Sequence, residues 1–233
     1  MARKKIVFVI VEGKSDEEAL GLALTKIFDK QKVHVHIMHG DITTSDKVTP
    51  DTVVAKLGNE IRAYAEANHF TEKDFQEIIH VVDTDGAYIP EDRIIEDISA
   101  SGVIYSPTEI RAKSKSAIEK RNQQKKGNIN KLISCKRIWK VPYRIFYMSC
   151  NLDHVLYDKL NTSDKEKEEN SYRFAVQYRD RVQEFKAFFS DSVFSVVTGY
   201  KESWTFVKQD LHSLERHTNF ALCFPPDSSG SSE

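Results

Sequence analysis

Three carboxylates stand where an apolar run of the sequence ends and the chain turns. Glu12 follows the run Ile6–Val11 and precedes a glycine. Asp83 and Asp85 follow the run Ile78–Val82 and also precede a glycine. Carboxylate oxygens are the ligands that Mg²⁺ and Mn²⁺ prefer, and these ions often keep waters that a substrate phosphate can replace. Since two ionised acids one residue apart repel each other, a site that holds both usually supplies a cation, and the residues predict a Mg²⁺ or Mn²⁺ site.

The elements that must position these residues are strands of a parallel sheet. Both apolar runs are rich in β-branched residues and show little alternation, which is typical of strands buried on both faces in α/β folds. A Ser-x-x-Glu capping pattern predicts a helix at 16–29, a strand is expected at 33–38, and Thr49-Pro50 opens a second helical pattern. This alternation of strands and helices favours a right-handed, doubly wound sheet, in which ligands bind at the carboxyl ends of the strands.

The later part of the chain predicts a mixture of helices and strands. The basic stretch before position 142 predicts a helix that is broken near Gly127. An exposed, charged loop is expected at 163–170, and the Ser-rich tail 227–233 is expected to be disordered. The other expected elements are strands at 103–105, 143–148 and 218–224 and helices at 174–189 and 204–214.

Two sequence motifs together carry a resemblance to a known domain. The stretch Val11-Glu12-Gly13-Lys14-Ser15-Asp16, followed by Val82-Asp83-Thr84-Asp85-Gly86, resembles the two acidic motifs of the TOPRIM domain. That domain occurs in type IA and type II topoisomerases, DnaG-type primases, small RNA-maturation nucleases and OLD-family nucleases. The resemblance covers roughly the first half of the chain. It implies that Glu12, Asp83 and Asp85 hold a divalent cation at the reacting phosphate, and that Asp16 contributes to a second metal position.

Two further residues resemble parts of one branch of that family. The step from Ser149 to Asp153 resembles the Ser-x-x-x-acid step of RloB-like and OLD-type nucleases, whose acid joins the metal shell, although this chain has Asp where Glu is commoner. Lys201, after Gly199-Tyr200, resembles the late lysine that OLD-type enzymes bring to the scissile phosphate. The alternatives are an ordinary acid at a helix N-terminus for Asp153 and a surface lysine for Lys201. Asp83 and Asp85 could likewise close an Asx turn.

The resemblance and the element pattern together predict the organisation of the chain. We expect an α/β fold with a TOPRIM-like, doubly wound and mainly parallel sheet flanked by helices. Residues 1–110 would form the metal-binding core, 111–142 a basic helical insertion, and 143–226 a C-terminal strand and helix extension that completes the core.

The basic insertion is the strongest charge feature of the sequence. Residues 111–140 contain eleven lysines and arginines against the single acid Glu119, which gives +10 and leaves −11 for the rest of a chain whose net charge is −1. Such a block is typical of proteins that bind a phosphate backbone, and a solvated helix face is the alternative. The residues expected to bind nucleic acid are Lys113, Lys115, Lys120, Arg121, Lys125, Lys126 and Lys131.

Composition limits the setting in which the protein works. The chain has 233 residues, 40% of them hydrophobic and 30% charged, so we expect a soluble protein of one or two domains. No apolar stretch approaches the roughly 20 residues that span a bilayer, and the first apolar run ends too soon for a signal peptide, so we expect no membrane association. Three cysteines without Cys-x-x-Cys spacing favour a reducing cytoplasm over a disulfide framework or zinc site.

These features predict a metal-dependent endonuclease that hydrolyses phosphodiester bonds of DNA or RNA. No Ser, Tyr or Cys is placed as an evident covalent nucleophile, which disfavours a topoisomerase. The resemblance implies a bacterial or phage defence effector whose ATPase is a separate partner. The main alternative is a non-catalytic TOPRIM-shaped subunit that binds nucleic acid or docks a partner. A haloacid-dehalogenase-like phosphatase, suggested by Asp83-Thr84-Asp85-Gly86, is a third hypothesis that requires a permuted order of motifs.

Overall fold

The structure is a computed structural model and describes residues 5–28, 32–37 and 41–226. In chain order the strands are β1 (Ile6–Val11), β2 (Lys32–Ile37), β3 (Phe75–Asp83), β4 (Ile94–Glu96), β5 (Ile104–Tyr105), β6 (Ile110–Ala112), β7 (Arg137–Ile138), β8 (Val141–Ser149) and β9 (His217–Thr218). The helices are α1 (Lys14–Ile27), α2 (Val53–Ala67), α3 (Lys115–Ser134), α4 (Leu152–Tyr157), α5 (Asp164–Tyr178), α6 (Val182–Ser190) and α7 (Tyr200–Val207).

The core of the fold is a mostly parallel sheet. Its strand order is β2-β1-β3-β8-β7, with β9 also paired to β8. The four strands β2, β1, β3 and β8 run parallel, whereas the short strands β7 and β9 pair antiparallel with β8. Parallel pairing brings the carboxyl ends of β1, β3 and β8 to one edge of the sheet. The predicted α/β fold with a mostly parallel sheet is confirmed.

Helices cover both faces of this sheet because its central strands are apolar on both sides. On β1, Phe8 and Ile10 pack into a core with residues of α2, α3 and α7. The intervening Val7 and Val9 pack into a second core with residues of α1, α4, α5 and α6. Every residue of β1 is buried. This double burial explains why the run lacks the polar alternation of a half-exposed strand.

Helix α3 is continuous where the sequence predicted a break. It runs through Gly127, and a Cβ added at that position would lie 3.0 Å from the Pro50 ring. The glycine therefore permits a close approach to the segment before α2 and does not interrupt the helix. The strand predicted at 103–105 is observed as the two-residue strand β5, which lies in a separate sheet of order β4-β6-β5.

The C-terminal region departs most from the predicted elements. The expected loop at 163–170 is the beginning of α5, where Ser163 and Glu166 form a reciprocal capping box. The expected helix at 174–189 is divided between α5 and α6. The helix expected at 204–214 is α7, which begins four residues earlier and ends at Val207, and the strand expected at 218–224 is reduced to β9 followed by a short 3₁₀ helix. The tail 227–233 lies outside the described residues. Among those that are described, no helix is both long and apolar enough to cross a membrane.

Candidate functional site

Glu12 and Asp83 are neighbours at the carboxyl ends of two paired strands. Glu12 directly follows β1, Asp83 is the last residue of β3, and these strands pair in parallel. The Asp83 backbone N–H donates to Glu12 Oε1 at 3.3 Å. The structure therefore brings together the two acids that the sequence separates by seventy-one positions.

Asp16 joins this pair from the first turn of α1. The Gly13 N–H donates to Asp16 Oδ2 at 3.0 Å, which fixes the carboxylate at the start of the helix. Burial, with a smaller contribution from the charge of Asp153, raises the pKa of Asp16 to about 6 against backbone hydrogen bonds that lower it. Asp153 lies in the first turn of α4, and burial raises its pKa as well. Asp16 and Asp153 are thus within electrostatic reach of each other.

The carboxyls of Glu12 and Asp83 are held in an environment that disfavours their charge. Burial, and then the charge of Asp41, raises the pKa of Glu12 well above its usual value. Burial, and then the charge of Glu12, raises the pKa of Asp83 in the same way. Mutual repulsion among buried acids is the condition that a bound cation relieves.

Asp85 and Asp41 share the ammonium group of Lys125. Lys125 Nζ lies 2.8 Å from Asp41 Oδ2 and also pairs with Asp85 Oδ2. Burial alone would lower the pKa of Lys125, but the surrounding carboxylates outweigh burial and raise it well above its usual value. Asp85 itself has a φ of 48°, and Gly86 follows with a φ of 65° in a crowded position where a Cβ would meet Leu214. This turn requires glycine at 86.

Sequence reasoning missed both Asp41 and Lys125 as parts of this cluster. Asp41 lies four residues beyond the end of β2, whose parallel partner β1 is followed directly by Glu12, so Asp41 also stands near a strand end. That position at a strand end was the signal available in the sequence. The sequence groups Lys125 with the surface lysines, whereas it lies in the middle of α3 with a side chain that is 0% exposed. We therefore assign it to the acidic cluster.

Negative charge exceeds positive charge in the cluster. Five carboxylates influence one another there, and the cations that act on them are Lys125 and, at Asp16, Lys167; the five are Glu12, Asp16, Asp41, Asp83 and Asp85. His80 lies close by, but burial lowers its pKa to about 4, so it adds no positive charge at neutral pH. In the described part of the chain, no three acidic, histidine or cysteine side chains converge closely enough to form a ready metal-ligand group. The acidic side chains therefore lie near one another, but their carboxylates do not converge on one point.

Helix α3 holds the two acidic loops with polar side chains on its buried face. Arg121 donates to the Asp85 carbonyl at 2.9 Å and to the Tyr105 hydroxyl at 2.6 Å. Asn128 donates to the Thr43 carbonyl at 2.8 Å, and Gln124 donates to two other carbonyls of the segment that follows Asp41. The basic helix is therefore fixed directly to the backbone of both loops.

The remaining basic residues of the predicted nucleic-acid surface are exposed or partly exposed. They are Lys113, Lys115, Lys120, Lys126 and Lys131. Lys120 and Lys126 line a cavity of about 440 Å³ together with Ala87, which follows the Asp85-Gly86 turn. Glu91 and Glu119 also line this cavity, so two lysines and two acids lie beside one of the acidic loops.

Lys201 lies away from the acids. It is exposed at the start of α7 and lines a cavity of about 760 Å³ with Tyr143 and Arg144, near the amino end of β8. The carboxylates lie at the opposite, carboxyl edge of the same sheet. The structure thus does not bring Lys201 to the place where the resemblance required it.

Comparison with models of known protein families gave no match, and searches against curated proteins and solved structures found no similar protein. The likeness to the TOPRIM domain therefore rests on the two sequence motifs. What the structure adds is the α/β sheet and the acidic cluster at its carboxyl edge.

Proposed function

We propose that this protein is a divalent-metal-dependent endonuclease with a TOPRIM-like catalytic core. The observation that carries the proposal is the placement of the partly buried Glu12 and Asp83 side by side at the ends of parallel strands, with Asp16 next to them. Burial and mutual repulsion raise the pKa of all three carboxyls. Carboxyl groups arranged in this way are costly to ionise unless a cation accompanies them.

The donor atoms fit Mg²⁺ or Mn²⁺. Carboxylate oxygens suit these hard cations, and the cluster holds more negative charge than Lys125 balances. Glu12, Asp16 and Asp83 would hold the ion by turning towards it carboxylates that do not converge on one point here, with Asp85 and Asp153 beside them. When bound, such an ion lowers the pKa of a coordinated water and neutralises charge on the oxygens of a phosphoryl group.

The side chains around the cluster supply the other requirements of phosphodiester hydrolysis. Lys120 and Lys126 border the cavity next to the acidic loop and suit the negative backbone of a nucleic acid. Glu12, next to Asp83, would hold the ion against the reacting phosphate. Arg121 holds the Asp85 backbone in place between these two regions.

A biological setting follows from the sequence resemblance alone. The likeness to RloB-like and OLD-type nucleases supports a defence effector in a bacterium or phage, acting with a separate ATPase partner. Both DNA and RNA are candidate substrates, because the exposed lysines of α3 suit a backbone common to both.

A second candidate function is a non-catalytic subunit that binds nucleic acid. The ion pairs from Lys125 to Asp41 and Asp85 favour it, because acids neutralised by a lysine can serve the fold alone. A nuclease requires Glu12, Asp16 and Asp83 as metal ligands, whereas a non-catalytic subunit does not. Substitution of these acids therefore distinguishes the two functions.

The deciding experiment is cleavage of transfer RNA and plasmid DNA by the purified protein with Mg²⁺ or Mn²⁺. We expect cleavage that EDTA abolishes and that Glu12→Gln and Asp83→Asn each reduce to background. Glu17→Gln is the matched control, because Glu17 is exposed in the first turn of α1. Binding of either nucleic acid without cleavage, unaffected by EDTA, would instead support the non-catalytic subunit.

A further inference from the structure

The cavity beside Lys201 lies between the end of α3, the amino end of β8 and one side of α7. Its volume of about 760 Å³ falls within the range of pockets that hold small molecules, roughly 300–1,000 Å³. Most of its wall is apolar, which is also typical of small-molecule sites. None of the acids of the proposed metal site is among the described residues that line it. The cavity is therefore a separate candidate binding site.

Aromatic side chains form part of the apolar wall and are held in place by hydrogen bonds. The Ile145 N–H donates to the Tyr200 hydroxyl at 3.1 Å. The Trp204 indole N–H donates to the Ile145 carbonyl at 3.2 Å, and the Tyr143 hydroxyl lies 2.8 Å from His80 Nδ1. Tyr143 and Trp204 are almost wholly buried, whereas Tyr200 is partly exposed. The wall is therefore preformed, and Tyr200 offers it a surface on which a flat aromatic ring can stack.

The charged side chains that line the cavity are all positive among the described residues. They are Lys136, Arg144, Lys201 and Lys208. Arg144 already pairs with Glu77 at 2.8 Å. In the described part of the chain, the three lysines form no ion pair with a carboxylate. Three lysines without a counter-charge around one cavity favour a ligand that carries several negative charges.

Lys208 is the lysine of this group that is most enclosed. Its side chain is partly buried, and its ammonium lies 5.7 Å from the centre of the Tyr88 ring. Burial lowers the pKa of Lys208 because no nearby carboxylate offsets the loss of solvent. An ammonium that is partly removed from water and unpaired is stabilised when an anion binds beside it. The enclosed position of Lys208 therefore supports an anionic ligand independently of the shape of the cavity.

We propose that this cavity binds a free nucleotide, with its base against the apolar wall beside Tyr200 and its phosphates among the three unpaired lysines. A nucleotide combines a flat ring with several negative charges, and these two parts match the two kinds of surface in the cavity. The acidic cluster lies at the opposite edge of the sheet. The bound nucleotide is therefore a ligand distinct from the nucleic acid that the cluster would cleave, and its binding does not depend on the proposed function.

The test is isothermal titration calorimetry of the wild-type protein in EDTA with ATP, GTP, CTP and UTP. We expect at least one of them to bind with one molecule per chain. The matching nucleoside without phosphates, and inorganic triphosphate, should each bind at least about tenfold more weakly, because each fills only one part of the cavity. Failure of all four nucleotides to bind, or binding of triphosphate as tight as that of the nucleotide, would overturn the inference. Binding of a 5′-phosphorylated oligonucleotide in place of the free nucleotides would assign the cavity to the end of a nucleic acid and overturn it as well.

Substitutions that line the cavity locate the bound nucleotide. Thr205→Phe fills the cavity from an exposed position on α7, so it should leave the unfolding midpoint unchanged and abolish binding. The double variant Lys201→Gln, Lys208→Gln should weaken binding at least about tenfold, because two of the unpaired charges are lost. Lys165→Gln on α5 is the control and should bind as the wild type does. Wild-type affinity in Thr205→Phe would overturn the inference.

A final variant separates this inference from the proposed function. The double variant Glu12→Gln, Asp83→Asn should bind the nucleotide in EDTA as tightly as the wild type, because neither residue lines the cavity. A loss of binding in that variant would place the nucleotide at the acidic cluster and overturn the inference. Intact nucleotide binding by a wild-type protein that cleaves no nucleic acid would support the inference and refute only the proposed function.

Discussion

Removing the charge of Asp16 should stabilise the metal-free protein, and only above a defined pH. The pKa of Asp16 is raised by burial from 3.8 to about 6. A carboxyl whose pKa is higher in the folded than in the unfolded protein binds more protons when folded, so stability falls as pH rises between these two values. Below about pH 4 the group costs nothing, and above about pH 6 the full penalty is present. Asp16→Asn keeps an oxygen for the Gly13 N–H and removes the charge.

The size of the effect follows from the two pKa values. A difference of about 2 pH units, at ~1.4 kcal/mol each, corresponds to a penalty of about 3 kcal/mol in the wild type. Because the side chain is only partly shielded from solvent, the measured gain in Asp16→Asn should be about 1–3 kcal/mol.

Urea unfolding in EDTA, followed by the fluorescence of Trp139 and Trp204, measures this gain between about pH 4 and pH 8. The difference in unfolding free energy between Asp16→Asn and wild type should grow between about pH 4 and pH 6 and then stay constant. Glu17→Gln, one residue away and exposed, should follow the wild type at every pH. A difference that does not change with pH would refute the electrostatic account of Asp16.

Three further outcomes test other parts of the structure. Asp83→Asn should abolish cleavage while its melting temperature in EDTA stays unchanged or rises, because a buried repulsion is removed; a marked fall would show that Asp83 serves the fold. The triple variant Lys120→Gln, Lys126→Gln and Lys131→Gln should bind nucleic acid with a weaker dependence on salt. The slope of log affinity against log salt should flatten by about 0.7–0.9 for each phosphate contact that is lost, and Lys165→Gln on α5 should leave the slope unchanged. Lys201→Gln should cleave at the wild-type rate, and a fall of about a hundredfold would return Lys201 to the active site.

The parallel core was predictable because its signal is local. Runs rich in β-branched residues, such as Ile6–Val11, are typical of strands buried on both faces, and each of the two ends at an acid. The placement of Glu12 beside Asp83 follows from parallel pairing alone. By contrast, the short strands β5, β7 and β9 have two residues each and no periodic pattern that distinguishes them from turns.

The misassigned residues have two causes, a local capping signal that charged composition outweighed at 163–170 and tertiary contacts that bury Lys125. The charged segment at 163–170 was expected to be a loop, but its Ser163–Glu166 capping box begins α5, whose apolar face packs on α1 and α6. Lys125 has the same residue type and neighbours as the surface lysines of α3. Its burial depends on Asp41 and Asp85, which approach it only after the chain folds.

The central claim is that the acidic cluster binds a divalent cation, and thermal unfolding with and without Mn²⁺ tests it most directly. At a Mn²⁺ concentration about 100 times the dissociation constant, the folded wild type gains about 2.7 kcal/mol, which should raise its unfolding midpoint by about 5–10 °C. The double variant Glu12→Gln, Asp83→Asn should gain nothing, and Glu17→Gln should gain as much as the wild type. An unchanged wild-type midpoint, or an equal rise in the double variant, would contradict the claim.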